Sequence, residues 1–272
     1  MNTEEIMQLA LDLAGLDEPL ADSAIYLRAE NVRRVLIGID LGPAELLLAK
    51  QLGYDLAIAH HPMDTLVDAW NVYGRHVDLM VANGVPEEAA RAAVAERMET
   101  MQLRSQTQNY DHVPSVARLL GMPYMNIHGP CDELGRQRLQ GAINQVLAEN
   151  PDASLRQVVE GLQDGIPEFS RVPTSVSVVL GHLDAPAGRV VMAHGAYTNG
   201  GYKVAKAYYD HGVQTVAYIH ILPEDLQRLR QEGRGQLIVT GHTVSDAAGI
   251  NPLIDALQER GLEVTAFSGI VR

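Results

Sequence analysis

The chain has 272 residues, 46% of them hydrophobic, enough apolar material for one large core or two medium ones. Its formal net charge of -13 makes nucleic acid an unfavourable main partner, since phosphate binding needs basic surface, and it suits a soluble protein with a site for cations. Only one cysteine is present, Cys131, which excludes an intramolecular disulfide, and no run approaches the roughly 18 apolar residues of a membrane helix. The start, Met1 to Glu5, is acidic where a secretory signal would be basic, so the expected setting is the cytoplasm, with no membrane partner.

In chain order, Asn2 followed by Glu5 forms a capping-box pattern, and Ile6, Leu9, Ala10 and Leu13 then recur at helical spacing up to Gly15. Arg34 to Ile39 reads as a strand, followed by Asp40-Leu41-Gly42-Pro43, whose proline suits the first turn of a helix to Leu52. A second apolar run, Leu56-Ala57-Ile58-Ala59, stops at His60-His61-Pro62. Strand, helix and strand make a β-α-β unit, which predicts parallel strands and a right-handed crossover. From Trp70 to about Met101 the pattern is helical, broken at Asn83 to Pro86. A polar loop from Ser105 to His112 precedes a short helix through Val116 and Leu120 and a strand at Tyr124 to Ile127.

Helices are predicted over Glu133 to Asn150 and Ser154 to Gln163. Val176 to Leu180 and Arg189 to Ala193, separated by Asp184, Pro186 and Gly188, suggest a hairpin. Then come Asn199-Gly200-Gly201, a helix to Gly212, a strand at Thr215 to Ile219, a helix from Pro223 to Glu232 and a strand at Gln236 to Val239. A helix from Ile250 to Arg260 and a strand from Val264 to Phe267 close the chain, whose later half alternates as an α/β protein does.

Two strand ends carry the chemistry. His60 and His61 follow a buried-type strand, at the carboxyl edge where open α/β sheets bind ligands. Adjacent residues leave a strand in opposite directions, so twin imidazoles suit two neighbouring metals, or one ligand and its supporting group, better than a single ion. Downstream, Val239-Thr240-Gly241-His242 is followed four residues after the histidine by Asp246. If Ser245 caps the next helix, His242 lies in the turn and Asp246 in the first helical turn, both facing one point. Imidazole with carboxylate suits Zn, Fe, Mn or Co and does not choose among them.

Gly38-Ile39-Asp40, Ala59-His60-His61-Pro62 and Gly241-His242 with Asp246, in that order and separation, resemble the NIF-three-like family, also called the GTP cyclohydrolase I type 2 family. The resemblance implies a two-domain α/β fold, with mostly parallel sheets flanked by helices and a dinuclear metal site at the strand ends between domains. It also implies a homohexamer. The domain expectation is residues 1–130 plus 236–272 for the metal-binding part and 131–235 for an inserted second part. Carried over, His60, His61, His242 and Asp246 match metal ligands, with Asp246 standing where the family usually has glutamate. The family also has an aspartate shortly after a His-Thr pair. Gln106 to Asp111 lacks that histidine, which leaves Asp111 as the fifth ligand and His112 as the lesser candidate.

The family's Thr-Gly-acid segment is replaced by Tyr218-Ile219-His220, so His220 is a candidate catalytic acid as well as a candidate for plain hydrogen-bonded packing. The implied activity is that of a metal-dependent hydrolase with two divalent ions, acting on a small molecule such as a nucleotide or a related ring compound. An activated water would attack the imidazole carbon of a purine, and His220 would protonate the ring nitrogen. The alternative is a non-enzymatic metal-binding assembly or a regulatory, partner-binding protein of the same fold. Among the other residues, Asp40 either supports the metal site or caps a helix, His194 lines a site or packs, and His128 carries no motif. Asn199-Gly200-Gly201 either binds phosphate or serves backbone geometry.

Overall fold

The computed structural model of the chain describes residues 1–62 and 67–272. In chain order its first elements are α1 (Thr3–Ala14), β1 (Ala24–Leu27), β2 (Arg34–Gly38), α2 (Pro43–Gln51), β3 (Leu56–Ala59), α3 (Arg75–Ala82), α4 (Glu87–Ser105), α5 (His112–Leu120) and β4 (Tyr124–Asn126). They are followed by α6 (Gly129–Glu149), α7 (Leu155–Gly165), β5 (Ser177–Leu180), β6 (Val190–Met192) and α8 (Gly201–Asp210). The chain ends with β7 (Thr215–Tyr218), α9 (Pro223–Glu232), β8 (Gln236–Val239), α10 (His242–Glu259) and β9 (Glu263–Phe267). Among the described residues no helix is long and apolar enough to cross a membrane.

Two compact units result. The first comprises Met1–Val72, Met101–Leu134 and Asp246–Arg272, the second Tyr73–Thr100 and Gly135–Ser245. The chain therefore passes from one unit to the other between Val72 and Tyr73, ahead of α3, and inside α4, α6 and α10. These units differ from the expected division at 130 and 236 in two places. Residues 73–100 join the second unit, and Gln236–Val239 pairs with β5 and β7 there, so the strand that leads to His242 is not part of the first sheet.

The first unit holds a five-stranded sheet in the order β1-β4-β3-β2-β9, antiparallel only at β1. The β2-α2-β3 crossover forms as the sequence predicts, with Ile37 beside Ile58 in a parallel register. Pro43 opens α2, and the Glu45 carboxylate accepts the Gly42 N–H at 2.8 Å. Alternation along the strands sorts the core. Val35, Ile37 and Ile58 pack on one face with Ile6 and Ala10 of α1 and Leu253 and Leu257 of α10. Leu36, Ala57 and Ala59 pack on the other with Leu46 and Ala49 of α2 and Val113 and Ala117 of α5. α1 starts at the predicted capping box, where Asn2 Oδ1 accepts the Glu5 N–H at 2.7 Å and the Glu5 carboxylate accepts the Asn2 N–H at 2.9 Å.

The second unit holds a four-stranded sheet in the order β5-β8-β7-β6, again with one antiparallel edge, β5. The expected hairpin of β5 and β6 does not form, because the two strands lie at opposite edges. The connecting backbone bonds to the start of α7 instead: Leu155 N–H donates to Ala185 O, Arg156 N–H to Leu183 O and Ala187 N–H to Ala153 O. The Asp184, Pro186 and Gly188 pattern thus marks a strap over a helix N-terminus, a reading that local turn chemistry alone does not separate from a hairpin.

The last helix is longer than predicted and begins at His242. Ser245 does not cap it. Its hydroxyl donates back to Gly241 O at 2.6 Å and meets Thr240 Oγ1 at 2.7 Å. Gly241 has φ 101°, a conformation closed to most side chains, which allows the strand to turn straight into the helix.

Candidate metal centre

In the first unit, backbone pairing continues past the end of β3. His60 N–H donates to Gly38 O and His61 N–H to Ile39 O, each at 2.9 Å. The twin histidines are thus held by the sheet. Their rings lie 5.0 Å apart, and both turn Nε2 towards one carboxylate of α10. Asp246 Oδ1 is 3.9 Å from His60 Nε2, and Asp246 Oδ2 is 3.5 Å from His61 Nε2. One carboxylate therefore spans both rings, although successive strand residues start out in opposite directions.

The other ring nitrogen of each is fixed from behind. His60 Nδ1 lies 3.2 Å from Ile127 O, a carbonyl that can only accept, so Nδ1 carries the hydrogen. His61 Nδ1 lies 2.9 Å from Asp40 Oδ1. Burial pulls the His61 pKa down, but Asp246 and then Asp40 outweigh it and the net shift is upward. Asp40 thus acts on a site imidazole.

Two residues without a predicted role complete the cluster. At the end of β4 and the start of α6, His128 and Asp132 face the same place. Asp132 Oδ1 is 3.3 Å from His60 Nε2, and Asp132 Oδ2 is 3.7 Å from His128 Nε2. His128 Nδ1 meets Asp22 Oδ2 at 2.6 Å. Burial disfavours the charged ring, yet the Asp132 and Asp22 carboxylates hold its pKa up at about 9. Ser23 Oγ accepts the N–H groups of His128 and Gly129 at 3.0 and 3.1 Å, anchoring the helix start. Gly129 is needed there, since a Cβ would stand 2.5 Å from Leu20 Cδ1 and 2.9 Å from Asp22 Oδ1.

The donor set fits a cation. His60 is 1% exposed, and its Nε2 is buried with no hydrogen-bond partner among the described residues. With the hydrogen on Nδ1, the Nε2 lone pair faces the oxygens of Asp132 and Asp246, acceptor against acceptor. A metal ion relieves that opposition. Bonds of about 2.0–2.1 Å separate neighbouring ligand atoms by about 3–4 Å, the range of these contacts. The ligand atoms of His60, His61 and His128, and those of His60, Asp132 and Asp246, each lie within 4.8 Å of one another.

Of the sequence-predicted ligands, the first unit brings together His60, His61 and Asp246. It does not bring Asp111 to them. That side chain is half exposed, and both carboxylate oxygens lie 2.6 Å from Arg118 Nη2. His112 opens α5, and its carbonyl accepts the Ser115 hydroxyl. His242 is exposed and is the first residue of the helix that carries Asp246, one turn ahead of it. In the second unit, His220 follows β7 with its ring 4.9 Å from that of His242. Buried Asn199 holds it, with Nδ2 at 2.7 Å from His220 Nδ1 and 3.2 Å from Nε2.

A crystal structure described as a NIF3 superfamily protein from Sphaerobacter thermophilus is 48% identical to this chain, covers 99% of it and 98% of its own length, and superposes with a TM-score of 0.96. The chain belongs to the NIF3 superfamily. Reduced HcgD from Methanocaldococcus jannaschii matches at 13% identity and TM-score 0.59, over 98% of this chain and 97% of that one. A Bacillus cereus protein related to NIF3 matches at 13% and 0.53, over 98% and 96%. These two support the fold. No protein-family model matches the sequence, and a search of curated proteins finds no match. In this NIF3 chain His128 and Asp132 stand four residues apart where α6 begins, beside the twin histidines. The carboxylate expected there from the sequence is that of Asp111. The available signal was the spacing itself, because His128 to Asp132 repeats the His-x-x-x-Asp of His242 to Asp246.

Proposed function

We propose that this NIF3 chain is a metal-dependent hydrolase that acts on a nucleotide or related ring compound, in the manner of a GTP cyclohydrolase I type 2. His60, His61, His128, Asp132 and Asp246 hold two divalent ions of the Zn, Fe, Mn or Co class. His242, one helical turn ahead of Asp246, is assigned as a further ligand. The observation that carries the reading is the buried His60 Nε2, whose lone pair faces carboxylate oxygens.

When bound, such ions acidify water and hold the attacking and leaving groups of a hydrolysis in line. The protein's own groups set the donors. Ile127 O fixes the His60 tautomer, Asp40 orients His61, and Asp22 takes the Nδ1 hydrogen of His128, so that Nε2 is the atom each ring presents. His220, steadied by Asn199, is assigned as the proton donor to a substrate ring nitrogen. A homohexamer in the cytoplasm is part of the same reading, and light scattering checks the assembly.

A second reading has its own support. Asp132 and Asp246 are 3% and 1% exposed, and a cation would offset the cost of burying them whether or not any reaction follows. The deciding experiment measures metal content together with loss of GTP ultraviolet absorbance and release of formate. Metal-loaded protein turns over, and chelation or His61→Ala abolishes both metal and turnover. Loaded protein that converts neither GTP nor other purine nucleotides overturns the hydrolase and leaves the structural metal.

A further inference from the structure

Asn126 ends β4 between Met125 and Ile127, two residues of the apolar core, and is itself 0% exposed. A carboxamide in such a place costs stability unless its hydrogen-bonding capacity is filled. Here it is filled completely. Oδ1 accepts the Ala24 N–H at 3.1 Å and the Tyr26 hydroxyl at 3.0 Å, while Nδ2 donates to Asp22 O at 2.7 Å and, at the longer distance of 3.4 Å, to His60 O. The partners fix which way the amide faces, because a backbone N–H can only donate and two carbonyls can only accept.

The two ends of that amide serve different parts of the first unit. Through Oδ1 it holds Ala24 and Tyr26 of the edge strand β1, which also pairs antiparallel with β4. An acceptor is all that this task requires. The Nδ2 end has no part in the pairing of β1, and both of its partners belong to residues of the metal centre. His60 contributes one imidazole of the cluster. Asp22, also 0% exposed, holds a second, since its Oδ2 meets His128 Nδ1 at 2.6 Å. One side chain therefore grips the backbone beneath His60 and the backbone of the carboxylate that orients His128, and those two rings lie 4.8 Å apart.

We propose that Asn126 is a positioning residue of the metal centre, whose Nδ2 fixes Asp22 and His60 relative to each other and so sets the spacing of the His60 and His128 rings. This rests on the reading of the cluster as a metal centre. Groups that orient metal ligands govern affinity without touching the ion. Because the same amide carries β1 on its other end, occupancy of the centre and docking of β1 are coupled, and such a coupling acts in both directions.

The test loads the whole chain with cobalt(II), measures its Kd by competition with a chelator and reads the ligand geometry from the visible absorption of the ion. Asn126→Leu removes both donors with little change in volume. Tyr26→Phe removes one hydrogen bond from the opposite end of the same amide. Asn126→Leu weakens cobalt(II) binding by about tenfold or more and alters the visible spectrum. Tyr26→Phe lowers the melting temperature but leaves Kd and spectrum unchanged, as a purely structural loss does. In the wild type, hydrogen exchange at Ala24 to Leu27 slows when cobalt(II) is added, and this measurement holds whether or not a variant folds. A wild type that binds no cobalt(II) overturns the metal reading and this proposal with it. With the wild type loaded, the proposal alone is overturned if Asn126→Leu binds as tightly with the same spectrum, if Tyr26→Phe weakens binding as much as Asn126→Leu does, or if exchange in β1 is the same with and without the ion.

Discussion

His60→Asn separates the cost of losing a metal ligand from the cost of losing a buried side chain. An asparagine amide can stand where Nδ1 stands, so the hydrogen bond to Ile127 O is kept while Nε2 is deleted. In the metal-free protein two effects oppose each other. A small void opens, costing about 1 kcal/mol, and the clash of the Nε2 lone pair with Asp132 and Asp246 disappears. The two roughly offset, so with chelator the variant melts within a few degrees of the wild type. With metal the outcome differs. An ion present at about a thousand times its Kd stabilises the wild type by about 4 kcal/mol. For a chain of this size each kcal/mol moves the melting temperature by about 2 °C, which makes the metal-dependent rise about 8 °C. His60→Asn loses most of that rise together with bound metal. Differential scanning fluorimetry with and without chelator, paired with elemental analysis, checks both. The reasoning is refuted if the wild type shows no metal-dependent rise, or if His60→Asn keeps the full rise and the full metal content.

His76 provides a pH prediction away from the metal centre. It is fully buried, its Nε2 donates to Thr198 O at 2.8 Å, and burial lowers its pKa from 6.5 to about 4. The unfolded chain therefore takes up a proton that the folded chain refuses between those values. Stability is unaffected above about pH 6.5 and falls by about 3 kcal/mol as the pH drops to about 4. His76→Gln, which keeps a donor near Nε2 without titrating, flattens that part of a urea-melt pH profile, and an unchanged slope would count against the assignment. Asp111→Asn is expected to leave metal content untouched and to change stability by less than about 1 kcal/mol, because its partner Arg118 is half exposed. A loss of bound metal in that variant would return Asp111 to the ligand set.

What could be read in advance, and what could not, follows from how local each signal is. The β2-α2-β3 unit is legible because its apolar runs and Pro43 all act within a few residues of one another. Strand β1, four half-buried residues, is set by antiparallel pairing with β4 about a hundred residues away, where Asn126 Oδ1 also accepts the Ala24 N–H. No local pattern announces it. Likewise β5 finds β8 rather than β6, a choice made by sheet order. The metal cluster divides in the same way. His60 and His61 stand out because two imidazoles end one apolar strand. His128 and Asp132 do not stand out in the sequence because a glycine and a proline follow the histidine and the helix predicted from Glu133 leaves both outside it. Once α6 is seen to start at Gly129, His128 stands just before a helix and Asp132 in its first turn, as His242 and Asp246 open α10. Both segments follow a strand and put a histidine and an aspartate one turn apart near a helix start; Asp132 lies in the first turn of α6, where the N–H groups favour a negative side chain, and Asp246 opens the second turn of α10. The repeated spacing, more than either histidine by itself, is the sequence feature that matches the centre.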